Sequence, residues 1–99
     1  MSSTKKARSS GKLPETYPLL ATAAELEQVL GIRLAAARRN KGMSQHELAL
    51  HLGTHQVTLA THETGGVLPR RPMLDRIVTL LDVPLFEFLR APDPWELGN

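Results

Sequence analysis

Ser44 and Glu47, three residues apart between Met43 and Leu48, fix where a helix must start in this chain. A serine side chain can accept from the backbone N–H three residues on, and the glutamate can reach back to the serine N–H. The two apolar neighbours then close over the pair as a hydrophobic staple. Leu48, Ala49 and Leu52 follow on one apolar face. Gly53, free to take a positive φ, ends the run. A second helix is predicted from about Gln56 to Glu63, with Leu59 and His62 turned inward and Gln56, Val57, Thr58 and Thr61 outward. Ala49 is small where the two helices cross, so their backbones can approach. Residues 43–65 thus read as two short helices joined by a tight turn, the second with an exposed polar face.

The remaining elements can be placed around this unit. Thr22 and Glu25 make a second capping box, opening a helix on which Leu26, Leu30, Leu34 and Ala37 share a face until Gly42. Gly31 lies inside that helix at a cost of about 1 kcal/mol relative to alanine, which points to a kink or a close contact. A loop over 64–71 leads to a fourth helix with Pro72 in its first turn and Leu74, Ile77, Val78 and Leu81 apolar. Pro84 starts a short fifth helix over 85–89. Residues 1–19, rich in Ser, Thr and Lys with two prolines, are expected to be a disordered basic arm. The predicted fold class is all-α: a compact five-helix domain over 22–90, between that arm and a tail over 91–99.

Composition narrows the chemistry. At 99 residues, 41% hydrophobic content suffices for one modest core. Cysteine is absent, so stability must come from helix packing, on the order of 5–10 kcal/mol. Lys5, Lys6, Arg8 and Lys12 fall in the arm, and Arg33, Arg38, Arg39 and Lys41 on the first helix. The pI near 9.4 is compatible with a polyanionic partner. No apolar run approaches the ~18 residues of a membrane span, and no signal-peptide core follows the N-terminus, so a cytosolic location is expected. His46, His51, His55 and His62 lack a cysteine or clustered carboxylate to complete a metal site. Ser44, His46 and Glu47 are neighbours in sequence, whereas a triad needs convergence in space. With no glycine-rich phosphate loop either, neither enzyme activity nor a cofactor is expected.

Two helices joined by a tight turn are the geometry that lays the second helix in the DNA major groove. Glutamine suits adenine there, because its amide accepts from N6 and donates to N7 at once. Several separated motifs point the same way: Leu30-Gly31-Ile32-Arg33-Leu34, Lys41-Gly42-Met43-Ser44-Gln45, Glu47-Leu48-Ala49, Glu63-Thr64-Gly65 and Leu81-Asp82-Val83-Pro84-Leu85. In this order and register, from about Leu30 to Leu89, they resemble the Cro/cI-type (XRE) helix-turn-helix family. Gly53-Thr54-His55-Gln56 is similar to the turn of lambdoid phage repressors. The resemblance implies a lambda-repressor-like domain in which Gln56 reads a base, helped by Val57, Thr58 and Thr61. It places Ser44 and Gln45, at the start of the helix that precedes the turn, against phosphate, with Gln45 bracing Gln56. Arg70 and Arg71 are implied as further phosphate contacts, and Arg38 is implied to pair with Glu63 as a structural tie. Arg33, Arg39 and Lys41 are expected to be solvated or peripheral. His55 departs from the family's capping Ser or Thr, and His62 from its apolar core residue. A backbone-bonded, half-buried imidazole is the expected reading of His62, a pH-sensitive fold the sharper one.

The resulting expectation is a sequence-specific regulator of transcription, a repressor, acting as a homodimer on a two-fold-related double-stranded operator. Phe86, Phe88 and Trp95 are candidates for the dimer surface or for the end of the core. Alternatives are an antitoxin that binds a toxin and represses its own operon, and a protein-interaction module without DNA readout. The arm over 1–19 could also bind nucleic acid nonspecifically.

Overall fold

The computed structural model describes residues 20–98. Five α-helices follow in order: α1 (Ala23–Asn40), α2 (Gln45–Leu52), α3 (Gln56–Thr64), α4 (Arg71–Leu81) and α5 (Leu85–Leu89). A 3-10 turn over Pro94–Leu97 follows them. The all-α class expected from the sequence is the one observed. The described residues contain no strand beyond an isolated antiparallel bridge between Leu20 and Arg90. None of their helices is long and apolar enough to cross a membrane. The arm assigned to residues 1–19 lies outside the described residues.

Local chemistry sets the ends of the helices. At α1 and α2 both capping boxes are closed: Thr22 Oγ1 accepts from Glu25 N at 3.1 Å, and Ser44 Oγ accepts from Glu47 N at 3.0 Å. Gly53 ends α2 in the left-handed region, at φ 72° and ψ 31°, where a side chain is costly. The α4 helix ends on Asp82, also left-handed at φ 55°.

The core is one cluster to which every helix contributes: Leu30 and Leu34 from α1, Leu48, Ala49 and Leu52 from α2, Leu59 from α3, Ile77 and Leu81 from α4, and Phe88 from α5. Ala49 is buried between the helices of the turn unit. Gly31 is a point of close contact: a Cβ there would fall inside the Glu63 carbonyl oxygen and 2.7 Å from that of His62. Its missing side chain is what lets α1 and the end of α3 touch.

Two sequence expectations are corrected here. Arg33, expected to be solvated, is buried. Its Nε and Nη2 each donate to the Glu96 carboxylate at 2.8 Å, and its Nη1 donates to the carbonyls of Phe88 and Arg90 at 2.9 Å. An arginine surrounded by acceptors tolerates burial because each N–H is satisfied. The segment after Ala91, read as a tail, consequently folds back onto α1. Of the three aromatic residues considered for the dimer surface, Phe88 completes the core, whereas Phe86 and Trp95 are exposed.

Candidate nucleic-acid interface

The surface that α2 and α3 present begins at their N-termini. The Ser44 hydroxyl is engaged as the acceptor of the Glu47 N–H, leaving its own proton free to donate outward. The Glu47 carboxylate accepts from Ser44 N at 2.8 Å, and this backbone bond holds its pKa below the ordinary carboxylate value. The N–H groups of Gln45 and His46, in the first turn of α2, have no acceptor within the helix, and the helix dipole adds partial positive charge there.

Helix α3 starts at Gln56, whose side chain stands on the surface beside Val57, 77% exposed. Thr58 and Thr61 are half-buried. Thr61 Oγ1 donates to the Val57 carbonyl at 2.9 Å, so toward a ligand it offers lone pairs and not its proton. His55 has the extended backbone of an N-cap but makes no side-chain cap bond. An imidazole sets its nitrogens farther from the backbone than a serine hydroxyl, which accounts for the loss. His62 is half-buried, with Nδ1 2.7 Å from the Val67 carbonyl oxygen, so its ring is tied to the backbone of the following loop.

Beyond α3, Arg70 occupies the N-cap position of α4 and is exposed. Arg71 Nε donates to Asp75 Oδ1 at 2.7 Å. With both side chains more than half exposed, this pair contributes little and leaves the guanidinium available.

Behind the surface lies a charged knot. Arg38 Nε and Nη2 donate to the two Glu63 carboxylate oxygens at 2.6 and 3.0 Å, and Arg38 Nη1 donates to the Met43 carbonyl at 2.8 Å. Both residues are buried. The Glu63 hydrogen bond is the main cause of a raised Arg38 pKa. Gln45 Nε2 joins the knot, donating to Glu63 Oε1 at 2.9 Å. Its amide therefore points inward to Glu63, where the resemblance had it brace Gln56. Sequence reasoning missed this bond, and spacing carries no signal for it.

Two short helices at a left-handed glycine turn, with the second helix's first residues exposed, define a helix-turn-helix DNA-binding fold. The chain belongs to the helix-turn-helix domain family, whose profile matches residues 29–90. Among solved structures, the chain is similar to the hypothetical transcription factor NHTF from Neisseria at 26% identity and a TM-score of 0.63, covering 82% of this chain and 88% of that one. It is also similar to the biofilm master regulator SinR in complex with DNA, at 28% identity and a TM-score of 0.56, covering 60% of this chain and 95% of that one. Bacillus thuringiensis PlcR, solved with the peptide PapR7 and DNA, shares 28% identity at a TM-score of 0.57; the match covers 62% of this chain but 21% of PlcR. No curated protein sequence matches the chain.

Proposed function

We propose that this chain is a sequence-specific regulator of transcription, a repressor, that reads double-stranded DNA with α3. The observation that carries the reading is the exposed pair at the start of α3: Gln56, whose amide has no partner among the described residues, and Val57, 77% exposed. An apolar β-branched residue so exposed serves no core, whereas against a thymine methyl it would be buried. SinR and PlcR were both solved with DNA, which favours the same use of this fold. In this reading Gln56 reads adenine, with Val57, Thr58 and Thr61 adjusting the preference. Ser44, Arg70, Arg71 and the backbone N–H groups of Gln45 and His46 hold phosphates. One such domain touches few bases, so two copies would occupy a two-fold-related site.

Selection from random duplex DNA, followed by binding at several salt concentrations, tests this. The expected result is a short, roughly palindromic consensus, bound with an affinity that falls steeply with salt. Failure to enrich any sequence would contradict it and favour a protein-interaction module.

A further inference from the structure

We propose that the Gln45 side chain is a positioning residue: it sets the angle between α2 and α3 by closing onto Glu63, and it is not itself a phosphate ligand. The inference rests on the DNA-reading assignment above and specifies how that surface is held. Helices α2 and α3 are joined through the turn after Leu52, which leaves the start of α2 and the end of α3 without a direct chain connection to each other. Gln45 is the first residue of α2, and Glu63 lies in the last turn of α3. Their 2.9 Å hydrogen bond ties those two ends together across 18 residues. The acceptor oxygen is itself fixed, because the same Oε1 receives Arg38 Nη2 at 3.0 Å.

Arg38 reaches the same place from the other side. Its Nη1 holds the Met43 carbonyl, immediately before the N-cap of α2. One buried carboxylate thus collects α1 and α2 at the end of α3. A buried carboxylate keeps such partners, since losing one leaves a desolvated acceptor short of a donor. One N–H of the half-buried Gln45 amide is consequently committed to Glu63, and in this assignment the phosphate contact at the start of α2 falls to the backbone N–H, which has no acceptor within the helix. Opening the tie would move Gln56, at the start of α3, relative to the phosphate-facing start of α2.

Three measurements on the full chain test the assignment. In the free protein, the Gln45 side-chain amide protons should exchange several-fold more slowly than those of exposed Gln56, and the protection should disappear in Glu63→Met, which keeps the length of the side chain but has no acceptor oxygen. Equal exchange would overturn the tie, whatever the chain does with DNA. Using the duplex enriched by selection, Gln45→Met should weaken binding about tenfold, but less than about threefold when Glu63 is already Met, because coupled residues are not additive. Additive losses would contradict the proposal. Should Glu63→Met fail to fold, a methylphosphonate scan with wild-type protein and Gln45→Met still decides. Each neutralised phosphate should cost both proteins the same; a phosphate whose penalty vanishes in Gln45→Met would make the side chain a phosphate ligand. A wild-type chain that enriches no duplex would sink the DNA reading and leave the exchange result standing.

Discussion

Arg33 and Glu96, 63 residues apart in the chain, meet as a two-pronged buried ion pair that fastens the C-terminal turn to the middle of α1. Glu96 also accepts from Asp93 N at 2.8 Å and from Arg90 Nη1 at 3.3 Å. The hydrogen bond from Arg33, more than any other interaction, lowers the Glu96 pKa to about 2. A depressed carboxylate contributes stability that is present above its unfolded pKa and lost as pH falls through the folded one. The wild type should therefore exceed Glu96→Gln by on the order of 2–3 kcal/mol at neutral pH, an advantage that shrinks from about pH 4.3 toward 2. Denaturant unfolding of both proteins across that range checks this. Parallel curves would mean the pair contributes nothing that titrates.

Gly31→Ala separates helix propensity from packing. Alanine is the better helix former by about 1 kcal/mol, yet its Cβ would meet the Glu63 backbone, which cannot swing aside as a flexible side chain would. Destabilisation by roughly 1–3 kcal/mol is expected in a urea titration. A more stable variant would show that α1 and α3 can move apart freely.

His55→Ser should do the reverse. The backbone at His55 already has cap geometry, at φ −91° and ψ 148°, but α3 lacks a side-chain cap bond. A serine hydroxyl would supply that bond and stabilise by about 0.5–1 kcal/mol, visible as a Tm raised by roughly 2–6 °C. An unchanged or lower Tm would show that the imidazole has a role the capping bond cannot replace.

Much of the fold was legible because it is written locally. Thr22 with Glu25 and Ser44 with Glu47 mark helix starts within three residues. Gly53 marks a stop by its conformation alone, and the spacing of Leu48, Ala49 and Leu52 selects the buried face. Gly31 was legible as an anomaly, a poor helix former inside a helix, although not which backbone it touches. Arg33 was not legible. Its acceptors are carbonyls and a carboxylate more than 50 residues downstream, and no periodicity encodes a contact at that separation. For the same reason the segment after Ala91 read as a tail. In the candidate site, the exposure of Gln56 and Val57 follows from helical spacing, whereas Thr58 and Thr61, expected to face outward, are half-buried. The inward turn of the Gln45 amide does not follow from spacing, since it depends on where α3 ends in space.

The most direct test of α3 as the reading element is to repeat the selection with Gln56→Ala. The wild-type consensus should persist except at one base pair of each half-site, where the preference should relax at a cost of about 1–3 kcal/mol in binding. A consensus unchanged at every position would contradict the account, because the first residue of α3 would then not touch a base.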